Sequence, residues 1–339
     1  MKIISKEELK KILEGLMKDS EVIAPVKEGE LVLFQTVRSV EEILFDYTNP
    51  LKPVKEFFFP AREELFRLSV VGDRLSVNTE HRTPNTEHRV IFGVRPCDAK
   101  SLLMFDKMFD ADYKDSSYLE KRSRSILVGL ACNEPLSSCF CLSLNDGPHA
   151  KEGLDVLLTD FGDGSYLMEG ITPKGEGLFQ GYGRETGDKE RAKKKELEEA
   201  ARKKIVKECR VPSDLESLFE DPYWEKISQK CISCGVCTYL CPTCFCFDLT
   251  CEGRDRVRFW DSCSFSPFTK MTSGENPRRE KKARYRQRVY HKFSYFKKSF
   301  GEIACVGCGR CLRECPVKVD IAEIVNKAPV YKETKKPEE

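Results

Sequence analysis

The chain has 339 residues, of which 40% are hydrophobic and 33% are charged, and its formal net charge is only +2. This length and composition predict two or three domains with sizeable cores. The small net charge excludes a global electrostatic attraction to nucleic acid or to a membrane surface.

Cysteine content sets this sequence apart, because one chain carries 17 cysteines. Residues 1–20 are charged throughout, and nowhere does an uninterrupted apolar stretch approach the roughly 18 residues of a membrane-spanning helix. We therefore expect a cytoplasmic protein without direct membrane insertion. In that reducing compartment, so many thiols are expected to bind metal rather than form disulfides.

The N-terminal half alternates helix and strand signals. Ser5 and Glu8 form the pattern of a capping box before an amphipathic helix. Asp98 is placed to cap a second helix, and Asp163-Gly164 is the turn signal of a β-hairpin. Short apolar runs predict further strands at residues 31–37, 90–94 and 126–130.

The C-terminal half has a different character. Residues 187–208 are almost all Lys, Glu, Arg and Ala, which predicts an exposed connecting helix, and a further capping box begins at Ser213. Residues 278–296 place aromatic and apolar side chains at helical spacing among many cations. The predicted fold class is therefore α+β, with an α/β-like N-terminal domain followed by an all-α dicluster domain of the helical ferredoxin type.

The predicted domain boundaries follow these changes in composition. They give a mixed α/β domain (residues 1–180), a charged helical linker (181–224), an α-helical dicluster domain (225–325) and a polar tail (326–339).

Two cysteine runs with the same spacing lie in the dicluster domain. Each reads C-x2-C-x2-C-x3-C-P, the run in which three cysteines bind one 4Fe-4S cluster and the fourth binds the other. Structural zinc is the weaker reading, because zinc sites use two C-x2-C pairs. Crossed ligation assigns Cys231, Cys234, Cys237 and Cys315 to cluster 1, and Cys305, Cys308, Cys311 and Cys241 to cluster 2.

A third set of cysteines lies in the N-terminal domain. Cys97 follows the predicted strand 90–94, Cys132 follows the strand 126–130, and Cys139 and Cys141 come shortly after. If the two strands are parallel neighbours, these thiols meet at the carboxyl ends, where open α/β sheets place ligands. They could hold a third 4Fe-4S cluster. Alternatively, Cys97 and Cys132 are merely buried small side chains.

The remaining cysteines match no known spacing. Cys244, Cys246, Cys251 and Cys263 could complete a further cluster, supply a redox-active thiol pair, or pack as buried side chains beside the clusters. Cys209 is assigned no role.

The basic residues of the last predicted helix also have more than one reading. They could raise the potential of a nearby anionic cluster, dock an acidic partner, face solvent, or contact nucleic acid. The set consists of Arg278, Arg279, Lys281, Lys282, Arg284, Arg286, Arg288, Lys292, Lys297 and Lys298.

Missing motifs narrow the function. The sequence has no G-x-G-x-x-G after a strand, no P-loop, no plant-type C-x4-C-x2-C run and no histidine-rich centre. No catalytic residue is therefore predicted, and electrons are expected to arrive from and leave to cofactors on other chains.

The motifs together resemble a known family of 4Fe-4S dicluster subunits, typified by sulfhydrogenase subunit beta and by the corresponding iron–sulfur subunit of anaerobic sulfite reductase. The resemblance covers about residues 85–325. It rests on the segments GVRPCDA (93–99), ACNEP (131–135), CFC (139–141), CPTCFCFD (241–248), WDSC (260–263) and CVGCGRC (305–311).

This resemblance implies an electron-transfer subunit of a cytoplasmic anaerobic redox complex. Such subunits connect a flavin subunit that binds NAD(P)H to a terminal hydrogenase, sulfite reductase or heterodisulfide-reductase-like subunit, and no nucleic acid is expected as a partner. Two other functions stay open from the residues. They are a cluster-based redox sensor that binds nucleic acid through the basic helix, and a thiol or disulfide reductase that uses Cys244, Cys246 and Cys263.

Overall fold

A computed structural model describes residues 1–71, 74–78, 88–144 and 146–333. The chain forms two compact units. The first contains Met1–Phe58, Thr83–Val206 and Val306–Cys308, and the second contains Phe59–Arg82, Lys207–Cys305 and Gly309–Glu339.

Strands and helices alternate along the described residues. The strands are β1 (Lys2–Ser5), β2 (Glu21–Glu28), β3 (Leu31–Thr36), β4 (Arg62–Val71), β5 (Arg74–Asn78), β6 (Arg89–Val94), β7 (Ser125–Leu130), β8 (Val156–Asp160), β9 (Ser165–Gly170), β10 (Arg184–Glu185), β11 (Phe247–Glu252) and β12 (Asp255–Trp260). The α-helices are α1 (Lys6–Asp19), α2 (Pro96–Phe109), α3 (Ser116–Ser123), α4 (Pro173–Leu178), α5 (Asp188–Lys203), α6 (Tyr223–Ser228), α7 (Val236–Tyr239), α8 (Lys281–Tyr290), α9 (Phe296–Phe300), α10 (Arg310–Arg313) and α11 (Ile321–Glu333).

The first unit is built on a mixed eight-stranded sheet in the order β10-β1-β9-β8-β7-β6-β2-β3. Strands β2, β6, β7 and β8 pair in parallel, and the outer pairs are antiparallel. Val90, Ile91 and Phe92 on β6 are almost completely buried, as expected for a parallel strand that is covered on both faces. The prediction that β6 and β7 are parallel neighbours is confirmed, with Ile91 opposite Leu127.

Local signals at the chain start are also confirmed. The Ser5 hydroxyl accepts a hydrogen bond from the Glu8 backbone N–H at 3.1 Å, and the Glu8 carboxylate accepts one from the Ser5 N–H at 2.8 Å. The predicted hairpin forms as β8 and β9. Two predicted caps are wrong by a few residues. Helix α2 already begins at Pro96, because proline is well suited to the first helical position, and Asp214 rather than Ser213 caps the 3-10 turn that follows it.

The second unit is not all-helical, so that part of the predicted fold class is wrong. Strands β11 and β12 form a hairpin that joins β4 and β5 in a sheet of the order β11-β12-β4-β5. The sequence supports it locally, since the segments FDLTCE and DRVRFW flank Gly253 in a left-handed turn conformation. Helix packing dominates elsewhere: α8 continues through a π-helical turn, His291–Tyr295, into α9.

The units also differ from the predicted domains. The charged helix α5 belongs to the first unit and not to a separate linker, while residues 59–82 belong to the second unit. Helix α11 extends to Glu333, so the predicted tail begins inside a helix. In the described part of the chain, no helix is both long enough and apolar enough to cross a membrane.

Replacing Ser5 by Ala tests the capping box. The substitution removes the acceptor for the Glu8 N–H, so we expect the free energy of unfolding to fall by about 1 kcal/mol in urea denaturation. Glu14→Ala, at an exposed position in the middle of the same helix, serves as the control and should change it by less than about 0.5 kcal/mol. Equal effects of both substitutions would show that the cap contributes nothing.

Candidate metal centres

The two cysteine runs adopt the same local fold. In each, the glycine after the second cysteine has a left-handed conformation (φ 80° at Gly235, φ 72° at Gly309) and caps a single helical turn, α7 or α10. The third cysteine, Cys237 or Cys311, is the second residue of that turn. A Cβ atom on Gly235 would lie 2.6 Å from the Phe265 ring, so both conformation and space require glycine there.

The first run forms one side of a cavity in the second unit. Cys231, Cys234 and Cys237 line it together with Cys315, the fourth cysteine of the other run, and Cys311 also reaches it. The Cys315 sulfur accepts a hydrogen bond from the Val319 N–H at 3.3 Å. All four cysteines predicted to bind cluster 1 therefore line one cavity.

The fourth cysteine of the first run lies beside the start of the second run. The Lys292 ammonium is 3.2 Å from the Cys241 sulfur and also donates to the Ala304 carbonyl at 3.0 Å. The Thr243 hydroxyl donates to the same carbonyl at 2.7 Å and accepts from Lys292 at 2.8 Å. Cys241 is thus held next to the residue that precedes Cys305, as crossed ligation requires.

Two buried cations face these thiols. Arg288 is 6% exposed and Lys292 is 3% exposed, so for these two basic residues the solvent-facing interpretation is wrong. Arg288 Nη1 lies 3.6 Å from the Cys244 sulfur, and its Nη2 is buried without a hydrogen-bond partner. Burial disfavours both charges, but the neighbouring sulfurs, Cys237 for Arg288 and Cys241 for Lys292, outweigh it and raise the pKa of each side chain.

The same neighbours favour a thiolate at Cys241. The hydrogen bond with the Cys244 thiol, supported by the charges of Lys292 and Arg288, holds the pKa of Cys241 well below its ordinary value despite burial. Thiolates are the form of cysteine that binds metal.

In the first unit, the structure brings together three of the four cysteines of the third set. Cys132 follows β7 and donates its N–H to the Pro148 carbonyl at 2.8 Å. Burial, followed by the charge of Asp146 and then the neighbouring thiols of Cys139 and Cys132, raises the pKa of Cys141 to about 12. Cys97 lies in the first turn of α2, at the carboxyl end of β6, the strand next to β7.

Arg95, which directly follows β6, hydrogen-bonds the end of the neighbouring strand β7. The sequence indicated nothing of this role except that Arg95 precedes Pro96. Its guanidinium donates to the carbonyls of Leu130 and Ala131 at 3.0 and 2.6 Å, donates to the Tyr47 carbonyl, and stacks on the Tyr47 ring at 4.1 Å. A buried arginine that is hydrogen-bonded in this way fixes the backbone directly before Cys132.

The third set also contacts the peptide Val306–Cys308 of the second run, which belongs to the same unit. The Phe140 N–H donates to the Gly307 carbonyl at 2.8 Å, and the Cys139 thiol lies 3.8 Å from the Cys308 carbonyl oxygen. Gly307 has φ 63°, and a Cβ there would lie 2.5 Å from the Cys141 nitrogen. Only glycine fits this close approach.

The other cysteines divide into three cases. Cys246 and Cys263 hydrogen-bond each other through their thiols, and this pairing lowers the pKa of Cys263 to about 6 and raises that of Cys246. Cys209 is buried, and burial followed by the charge of Asp320 raises its pKa to about 12, as expected for a packing cysteine. Cys251 is exposed on β11, so for this residue the buried-packing interpretation is wrong.

The donor set fits iron–sulfur clusters. The thiols of both runs lie in matching loops beside buried cations that offset negative charge, and thiolates are the ligands of 4Fe-4S clusters. Within the part of the chain that the structure describes, no three His, Cys, Asp or Glu side chains are arranged around the position of a single metal ion.

Comparison with known proteins agrees with this chemistry. Residues 230–319 match the family model of the 4Fe-4S dicluster domain. The chain is 30% identical over 322 residues to sulfhydrogenase 2 subunit beta of Pyrococcus furiosus. The aligned residues cover 90% of this chain and 91% of that protein. No solved structure matches the chain. The chain therefore belongs to the family of iron–sulfur dicluster subunits that includes sulfhydrogenase subunit beta.

Proposed function

We propose that this chain relays electrons within a cytoplasmic anaerobic redox complex. Its partners are a flavin subunit that binds NAD(P)H and a terminal hydrogenase, sulfite reductase or heterodisulfide-reductase-like subunit. One observation carries the proposal: each ferredoxin run places its fourth cysteine with the other run, Cys315 in the cavity of the first and Cys241 beside the start of the second. The similarity to a sulfhydrogenase subunit supports a partner of the hydrogenase kind.

Bound 4Fe-4S clusters would supply one-electron transfer, and the protein's part is to hold them close together and to tune their potentials. Cys231, Cys234, Cys237 and Cys315 would hold cluster 1, and Cys305, Cys308, Cys311 and Cys241 would hold cluster 2. Exchange of the fourth ligand would keep the two sites adjacent. The third and fourth cysteines of each run would bind different clusters, and only a short backbone segment joins them.

The third cysteine set extends the proposed relay. Cys97, Cys132, Cys139 and Cys141 would hold a third cluster, and the contacts of Cys139 and Phe140 with the peptide Val306–Cys308 support a position next to cluster 2.

Arg288 and Lys292 would adjust the potentials of the proposed clusters. A reduced cluster carries one more negative charge than the oxidised one, so a buried cation beside its ligands stabilises the reduced state. Burial also removes these two residues from any surface that could contact nucleic acid. This weakens the proposal that the basic helix binds nucleic acid.

Iron content tests the number of clusters. Wild-type protein purified and reconstituted without oxygen should contain about twelve irons per chain if three 4Fe-4S clusters are bound. Cys132→Ser should contain about eight, because it removes a ligand of the third site only, whereas the exposed-cysteine control Cys251→Ser should keep about twelve. An unchanged iron content in Cys132→Ser would reject the third cluster, and fewer than about eight irons in wild type would reject the relay.

Replacing Lys292 by Met tests the electrostatic role of this residue. Loss of the cation 3.2 Å from the Cys241 sulfur should lower the potential of the cluster bound by Cys241 by tens of millivolts, measured by an EPR-monitored redox titration. Lys298→Met, at a position 62% exposed on α9, should leave every potential almost unchanged. A potential that stays constant or rises in Lys292→Met, with full iron content, would contradict the proposed role.

A further inference from the structure

A pair of cysteines outside both ferredoxin runs lies at the open end of the β11–β12 hairpin. Phe247 and Trp260 form the last ladder pair, and beyond it the Asp261 N–H donates to the Cys246 carbonyl at 3.0 Å. Cys246 precedes β11 directly, and Cys263 lies three residues after β12 ends. The interaction between their thiols lowers the pKa of Cys263 and raises that of Cys246.

The surroundings hold this pair in place. The Trp260 indole donates to the Phe59 carbonyl at 2.9 Å and stacks on the Tyr239 ring at 6.2 Å, which fixes the end of the hairpin. Cys263 is 8% exposed, whereas Cys246 is partly exposed. The pair therefore has one buried thiol and one that solvent can reach.

We propose that Cys246 and Cys263 form a redox-active dithiol that exchanges with small disulfides. Two cysteines on adjoining backbone segments at the end of a hairpin are placed to form a disulfide, whose sulfur atoms lie about 2.05 Å apart. Neither residue belongs to a predicted cluster ligand set. The pair therefore stays available for thiol chemistry when both runs bind metal.

The exchange follows two steps that balance. Base in solution first removes the proton of Cys246, the thiol that solvent can reach, and the resulting thiolate attacks one sulfur of a disulfide R–S–S–R, which forms a mixed disulfide and releases R–S⁻. The Cys263 thiolate then attacks the Cys246 sulfur, which forms the internal disulfide and releases the second R–S⁻. The two protons pass to the released thiolates, so the dithiol loses two electrons and the small disulfide becomes two thiols.

Equilibration with mixtures of reduced and oxidised glutathione, without oxygen, tests the proposal on the iron-loaded full chain. After alkylation of free thiols and digestion, mass spectrometry should find a peptide pair linked through Cys246 and Cys263, and its fraction should follow a two-electron dependence on the glutathione ratio. Cys263→Ser should instead trap glutathione on Cys246. Cys251→Ser, which alters an exposed cysteine on the same hairpin, should behave as wild type.

Two results would overturn the dithiol. One is the absence of a linked peptide at every glutathione ratio. The other is the loss of about four irons in Cys246→Ser, which would make Cys246 a cluster ligand. The proposed relay is judged separately, from the iron content of the wild-type sample before glutathione is added, so failure of the dithiol and failure of the relay give different readings.

Discussion

The structure brings one cysteine of each ferredoxin run beside the other run, although the two loops are far apart in sequence. Lys292 contacts the Cys241 sulfur, and both Lys292 and Thr243 donate to the carbonyl of the residue before Cys305. Cys315 lines the same cavity as Cys231. In the proposed crossed ligation, each loop completes its ligand set with a cysteine of the other loop. Metal binding would therefore link the two ends of the second unit, and its binding free energy would also be folding free energy.

Buried charge is the second constraint that follows from this exchange. Two clusters with eight thiolates would place several negative charges in the interior, which is costly without nearby cations. Arg288 and Lys292 lie on one face of the continuous helical segment formed by α8 and the π-helical turn, and both point at sulfur. A π-helical turn adds a residue to the helical repeat and often occurs at functional sites. Here it contains Lys292.

Sequence reasoning predicted the parts that depend on local spacing. The cysteine runs, the capping box at Ser5 and the parallel strands before Cys97 and Cys132 all depend on short-range patterns, and the structure contains them. Features that depend on long-range packing were missed. No local pattern showed that β12 would pair with β4, that Arg95 would join two strand ends, or that two of ten clustered cations would be buried. The Arg-Pro-Cys segment was the only signal near Arg95.

Diffraction from anaerobically grown crystals of the iron-loaded chain, recorded on both sides of the iron absorption edge, tests the crossed ligation most directly. Crossed ligation predicts two compact groups of iron, one bonded to Cys231, Cys234, Cys237 and Cys315 and the other to Cys305, Cys308, Cys311 and Cys241. Iron bonded to all four cysteines of a single run, or single ions without inorganic sulfide, would contradict it.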